Sequence, residues 1–293
     1  MVIHPVSTIN QLNSLTSHTG EVYELVVINS KGYGLFATEN IPRGTRILDE
    51  SPLIIIPSSS MRHGIPVLNI EELTIALDAL SPQQHESYFE LCHDPSAAVK
   101  ARKRIHKAQE LSKDAIVHRE FPNAYKIESM VKLHAIYQTN VVRLGDDETS
   151  GTGVFPLASR INHSCVPNLQ IHCVPSDNKL IAHAVRHINK GEELTINYCS
   201  KVWIPRKQRN DIFGRCGFNC ACRACAGLQA AASQERREAM LALEYDLIPF
   251  DQPDRFNPHF GTPQTPQQAL EVAEALIELL IAEGIADQGL QIA

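Results

Sequence analysis

The chain has 293 residues, 43% of them hydrophobic and 20% charged, with a formal net charge of −6. That length can bury a sizeable core in one large domain or two small ones, and the balance is that of a globular protein. The negative charge argues against a general nucleic-acid or membrane-surface binder, and no apolar run approaches the roughly 20 residues of a membrane span.

The start, Met-Val-Ile-His-Pro, lacks a basic segment followed by an apolar one, which argues against secretion. Residues 1–20 are polar and read as a loose leader or a capping strand. Tyr23–Ile28 is rich in Val and Ile and suits a strand. Ser30-Lys-Gly-Tyr-Gly34 reads as a turn leading to Leu35-Phe-Ala. Its two glycines have two readings: a plain hairpin turn, or a close backbone approach to a ligand that absent Cβ atoms permit. Ile47–Ile56 reads as one or two strands closed by Pro57.

Residues 58–130 change character. Leu73, Leu77 and Leu80 recur at helical spacing over Ile70–Leu80, and Ser81-Pro-Gln-Gln starts a second helix with Tyr88, Phe89 and Cys92 on its apolar side. Ala97–Leu111 reads as a basic helix carrying Lys100, Arg102, Lys103, Arg104 and Lys107. A solvated face is the favoured reading, and a substrate- or acid-binding surface the alternative. Met130–Val142 is a further helix, and 146–153 a polar loop. Leu169–Val174 and Leu180–Ile188 alternate as paired strands about the turn Ser176-Asp-Asn-Lys, and Leu194–Tyr198 is the next strand. His183 and His187 would lie about 13 Å apart on one strand face, too far to share a metal. Ser233–Tyr245 is helical, Pro249–Pro266 a proline-rich linker, and Thr265-Pro266 opens a helix to Ile281 capped by Gly284. Leu270, Ala273, Ile277, Leu280 and Ile281 form its apolar face.

Three stretches carry the chemistry. Arg160-Ile-Asn-His-Ser-Cys-Val-Pro-Asn168 is too polar for a plain core strand, and Pro167 stops a helix. Glu193-Leu-Thr-Ile-Asn-Tyr198 follows, then Gly217-Phe-Asn-Cys-Ala-Cys-Arg-Ala-Cys225. Cys220, Cys222 and Cys225 have compact metal-ligand spacing, but a structural zinc takes four ligands, and Cys165 is the natural fourth. Of eight cysteines, Cys216, Cys220, Cys222 and Cys225 fall within ten residues, which fits an intracellular metal site better than disulfides. Cys216 is left out because the other four complete a tetrahedron.

N-H-S-C-x-P-N, G-E-E-L-x-I-x-Y and F-x-C-x-C-x-x-C, in that order, resemble the SET domain of protein lysine methyltransferases, and most of all the SMYD-like group and its fungal relatives. Gly32, Gly34, Phe36, Ala37, Ile41 and Gly44 resemble the family's opening motif. No Cys/His run matches a MYND finger. The resemblance implies an α+β fold of several small β-sheets. The SET domain would span 1–228, with a helical insertion (58–130) and a post-SET zinc loop (213–226), and 229–293 would form a C-terminal helical region. It implies transfer of a methyl from S-adenosylmethionine to a lysine of a protein substrate, histone or not. It implies that Lys31, Gly32, Tyr33 and Gly34 touch the cofactor with Asn140, Asn162, His163, Tyr198 and Phe218, and that Tyr198 is catalytic. It implies one zinc on Cys165, Cys220, Cys222 and Cys225. Aromatics common at two positions of the lysine channel are here Cys216 and Val142. Those departures favour the alternative, a catalytically weak scaffold that binds zinc and a partner protein. A monomer in the cytoplasm or nucleus is expected, with no direct nucleic-acid or membrane contact.

Overall fold

The computed structural model describes residues 22–28, 32–57, 61–62, 65–66, 70–114, 127–145, 150–174, 176–199, 201–215, 217–252 and 258–286. The expectations for Lys31 and Cys216 fall outside these. The chain divides into two compact units: 1–162 with 171–194, and 163–170 with 195–293. Among the described residues no helix is long and apolar enough to cross a membrane.

The first unit is built from short sheets and a helical insertion. Strand β1 (Tyr23–Ile28) pairs antiparallel with β2 (Gly32–Ala37), with Ile28 opposite Gly32 and Val26 opposite Gly34. The glycine pair expected in a turn therefore lies inside a paired strand. β3 (Arg46–Glu50) ends before Pro52, and β4 (Ile54–Ile56) follows, so the apolar run of 47–56 makes two strands. β5 (Met61–Arg62) and β6 (Ile65–Pro66) form a minimal hairpin. Four helices follow: α1 (Ile70–Asp78), α2 (Pro82–Phe89), α3 (Pro95–Asp114) and α4 (Ile127–Asn140). Ser81 caps α2 in a reciprocal box with Gln84, as its sequence promises. Leu73, Leu77, Tyr88, Leu133 and Ile136 close one core over β4, and the Tyr88 hydroxyl donates to Leu133 O at 2.8 Å.

Helix α4 stops at Asn140, two residues short of its expected end, and Val142 lies in β7 (Val141–Arg143) opposite Gly153 of β8 (Thr152–Val154). Two β-branched residues favour that change of period. β9 (Asn162–His163) pairs with β12 (Thr195–Ile196). β10 (Leu169–Val174), β11 (Lys179–Ala184) and β3 make a three-stranded sheet. β11 ends at Ala184, so His187 is not on the strand, and His183 instead stacks on His172 with centroids 5.4 Å apart.

The second unit holds α5 (Arg206–Arg215), α6 (Ala230–Asp251) and α7 (Pro266–Glu283). Helix α6 runs through Pro249, which was expected to open a linker. A proline there has no N–H for the carbonyl of Tyr245. That carbonyl instead accepts from His259 Nε2 at 3.0 Å. Helix α7 begins and ends as its sequence indicates, at the Thr265 cap and at Gly284 with φ +78°. Its buried side keeps Leu280 of the expected face and departs from the rest of it. Leu280 and Ala269 are buried, whereas Leu270, Ile277 and Ile281 are exposed. Apolar residues on two sides of one helix leave the packed face ambiguous in sequence. A buried ion pair fixes it: Glu283 accepts from Arg237 Nε at 3.0 Å, and Arg237 also donates to Val202 O and, at 2.7 Å, to Cys165 O.

One buried carboxyl prepares the first unit's end of the Arg160–Asn168 stretch. Glu50, at the end of β3, accepts from Leu157 N at 2.7 Å and Ala158 N at 2.8 Å, where a 3₁₀ turn over Ala158–Arg160 begins. Burial pushes its carboxyl up to about 7, against the pull of those two donors. The folded chain then holds this proton more tightly than the unfolded chain, whose glutamate titrates near 4.3. The group's contribution to stability is fully present below that value and is lost as pH rises through about 7. The unfolding free energy from urea titration should fall between pH 5 and pH 7.5 by about 2.5 kcal/mol more in the wild type than in Glu50→Gln. Parallel behaviour of the two would place the Glu50 carboxyl at its ordinary value.

Candidate active site and metal centre

In the second unit the thiols of Cys165, Cys220, Cys222 and Cys225 lie within 4.8 Å of one another. Cys165 follows β9, and the other three sit in the loop between α5 and α6. Cys165 Sγ is 3.8 Å from Cys220 Sγ and 3.4 Å from Cys225 Sγ, far beyond a disulfide bond of about 2.05 Å. Four zinc–sulfur bonds of about 2.3 Å at tetrahedral angles put sulfurs about 3.8 Å apart, so the donor set fits zinc. Hydrogen bonding within the cluster, from Cys165 first, holds the Cys222 thiol low and Cys225 down at about 6. The reciprocal bonds, from Cys220 first, push Cys165 up. Four thiols crowded this closely share hydrogen bonds unequally, and a cation that takes all four as thiolates removes the competition among them.

The cluster has a polar surround. Arg209 of α5 is buried, donates to Ile204 O at 2.6 Å and lies 3.5 Å from Cys225 Sγ. His163 Nε2 is 3.2 Å from Cys165 Sγ, and His163 Nδ1 accepts from the Tyr198 N–H at 3.0 Å. Both ring nitrogens are therefore engaged within the protein, which leaves the His163 backbone as its means of touching a ligand. An aromatic group surrounds that ring. Phe213 packs at 4.5 Å from it and stacks on Phe218 at 5.0 Å, and Tyr198 stands perpendicular to Phe218 at 6.2 Å. Tyr198 is 42% exposed, unusual for an aromatic so closely packed on its neighbours.

In the first unit Asn162 donates from Nδ2 to Tyr33 O at 2.9 Å and to Glu193 Oε1 at 2.8 Å. The reason for Gly34 is now visible. A Cβ there would stand 2.9 Å from Asn162 Nδ2 and 2.7 Å from Ile28 Cδ1. The close approach that glycine allows is that of the Asn162 side chain. Arg160 is buried, with its guanidinium 4.6 Å above the Tyr33 ring and one bond, 3.1 Å, to Glu90 O. Asn140 ends α4 and donates to Cys92 O and Ile136 O, each at 2.8 Å. The structure thus joins Tyr33, Gly34 and Asn162 in one network, and His163, Tyr198, Phe218 and the four cysteines in another. Sequence reasoning gave Glu193 no role of its own and passed over Arg209 and Arg237. The signal for the two arginines was slight, since each lies on a helix rich in other charges.

The SET domain matches residues 32–199, more than half of the chain, and the protein belongs to the SET-domain family. A SET domain-containing protein of Acanthamoeba polyphaga mimivirus is 29% identical over 216 residues, covering 72% of this chain and 80% of its own length. Histone-lysine N-methyltransferase set5 of Schizosaccharomyces pombe is 29% identical over 206 residues, 70% of this chain and 51% of the yeast protein, so the chain spans about half of that relative. Mouse histone-lysine N-methyltransferase SMYD3 is 39% identical over 75 residues, 26% of this chain and 17% of its own. The crystallised SET domain of LSMT bound to lysine and AdoHcy aligns over 98% of this chain and 90% of that one, at 13% identity and a TM-score of 0.48.

Two outcomes check the geometry. Elemental analysis should find one zinc per chain in the wild type and none in Cys220→Ser, whereas Cys199→Ser, a buried thiol outside the cluster, should keep it. Gly34→Ala should cost about 1–3 kcal/mol in urea unfolding by displacing the Asn162 amide from its acceptors. Gly214→Ala, in α5 with nothing within 4 Å of the added Cβ, should leave stability equal or slightly higher.

Proposed function

We propose that this chain is a protein-lysine N-methyltransferase that uses S-adenosylmethionine. The observation that carries the reading is the setting of Tyr198: a half-exposed tyrosine held through its N–H by His163 and packed beside Phe218. The cofactor supplies a methyl on a sulfonium, ready for in-line displacement by a neutral amine. Free lysine has a pKa of about 10.4, so an apolar, narrow approach is needed to favour the neutral form. The Tyr198 hydroxyl accepts from the lysine amine and orients its lone pair toward the methyl. The proton released from the product ammonium passes to water.

Roles for the remaining residues follow from their engaged and unengaged atoms. Asn162 has committed both amide hydrogens, which leaves Oδ1 to accept from the cofactor's ammonium. Gly32, Tyr33 and Gly34 offer backbone groups to the cofactor's methionine end, with Lys31 before them. The Asn140 amide hydrogens are likewise committed, so it too would meet the cofactor as an acceptor. Phe218 gives a flat apolar face for adenine. His163 contributes its backbone. Zinc on Cys165, Cys220, Cys222 and Cys225 is structural: it fixes the loop that carries Phe218 and takes no part in bond making. Val142, half-buried in β7, and Cys216 are the channel positions without an aromatic, and they would govern how many methyls fit. The substrate is a protein, and the chain works as a monomer in a reducing compartment, cytoplasm or nucleus, where such thiols persist.

The test is transfer of radiolabelled methyl from S-adenosylmethionine to a protein array. Tyr198→Phe keeps the ring and deletes only the hydroxyl. Turnover should fall about a hundredfold, equivalent to about 2.7 kcal/mol, with S-adenosylhomocysteine affinity little changed. A wild type that binds S-adenosylhomocysteine yet methylates nothing on the array would overturn the reading in favour of a zinc- and partner-binding scaffold.

A further inference from the structure

The two ring nitrogens of His163 connect the metal centre to the residue that carries the chemistry. We infer that His163 is a positioning residue, which ties the Cys165 thiolate to the backbone of Tyr198 and so makes the place of the catalytic hydroxyl depend on the metal-bound loop. The inference rests on the role of Tyr198 proposed above.

The direction of each bond is fixed by chemistry. A backbone N–H can only donate, so the Tyr198 amide at 3.0 Å makes Nδ1 the acceptor. A neutral imidazole then carries its hydrogen on Nε2. That hydrogen faces Cys165 Sγ at 3.2 Å, and a ligating thiolate is an acceptor. The two bonds are thus mutually consistent in one tautomer, with no proton transfer required. They also answer a local need. The pairing of β12 ends at Ile196, so by Tyr198 the strand ladder no longer receives the backbone N–H. A side chain must satisfy it, and His163 does.

The ring is in no position to do otherwise. His163 is buried, with Phe213 at 4.5 Å, Tyr198 at 5.2 Å and Phe218 at 6.1 Å from its centroid. Turning the ring over would put carbon atoms toward both partners and lose both bonds. The coupling runs both ways. A thiolate held by the metal stays where the Nε2–H can reach it, and a ring so held presents Nδ1 to Tyr198. Partners one step removed from a metal typically change affinity or activity by roughly 10- to 100-fold when lost.

Two substitutions separate the two bonds. Asn has its amide oxygen near the Nδ1 position, so His163→Asn keeps an acceptor for Tyr198 but cannot reach Cys165. Gln extends to the Nε2 position, so His163→Gln keeps a donor for Cys165 and loses the acceptor for Tyr198. In the zinc-loaded full chain, hydrogen exchange of the Tyr198 amide should quicken by up to about tenfold in His163→Gln, as the loss of one hydrogen bond allows, and change far less in His163→Asn. Zinc affinity by chelator competition should show the opposite order, with His163→Asn the weaker by roughly tenfold. Methyl-transfer turnover should fall in His163→Gln while S-adenosylhomocysteine affinity holds. Equal effects of the two variants on amide exchange and on zinc affinity, or a turnover loss matched by an equal loss of cofactor affinity, would overturn the inference. Amide exchange and zinc affinity need no methyl transfer, so a wild type without activity refutes the proposed function and still leaves the tie to be decided by those two measurements.

Discussion

Four sulfurs within 4.8 Å are the constraint on which the second unit depends. Three come from one short loop and the fourth from a residue 55 positions earlier, so the cluster closes a large ring of chain. Closing such a ring costs conformational entropy that grows slowly with its length, and a handful of thiol–thiol contacts does not offset it. A divalent cation does, because it turns mutual repulsion among thiolates into four bonds. Phe218, two residues before Cys220, is placed by that closure together with its stacking on Phe213.

The protein secures Cys165 by a second route. Arg237 is wholly buried and grips the Cys165 carbonyl, while Glu283 from the last helix neutralises it and also accepts from Ser233 Oγ and Arg236. A buried ion pair is a poor source of net stability, because desolvation cancels most of its attraction. Its value is directional: a guanidinium with fixed donors holds one carbonyl, one loop carbonyl at Val202 and one carboxylate in a single arrangement. The C-terminal helices are thereby bonded to the metal loop's distant ligand, and the 229–293 region is continuous with the second unit instead of standing apart from it.

Much of the architecture was legible because its signals are local. The Ser81 and Thr265 caps, the Gly284 stop and the small strands with Gly and Pro between them each depend on a few neighbouring residues. The cysteine set was legible from spacing and valence together. What escaped were features decided by distant partners. Pro249 looked like a break, because nothing near it shows that His259 donates to the freed Tyr245 carbonyl. The buried side of α7 was misjudged except at Leu280, because Glu283 pairs with Arg237 while Leu270, Ile277 and Ile281 face water. The Gly32–Gly34 pair was placed in a turn, because its residues carry turn propensity and the strand pairing across from it does not show in them.

The adjacency of Asn162 and His163 gains its meaning from strand geometry. Successive side chains of an extended chain point to opposite faces. Asn162 goes one way, to Tyr33 O and Glu193, and His163 goes the other, to Cys165 and Tyr198. The two neighbouring side chains therefore enter different sets of bonds. A shift of register by one residue would exchange them, putting an imidazole against the close backbone at Gly34 and a short amide before the thiol cluster. Neither would fit: the space at Gly34 already excludes a Cβ, and an asparagine is too short to span from Tyr198 to Cys165. The register is pinned from before the strand by Glu50, which holds the turn at Ala158, and from after it by the Ser164 N–H bond to Ile196 O at 2.9 Å. The order of Asn before His is thus a requirement of geometry as much as of chemistry.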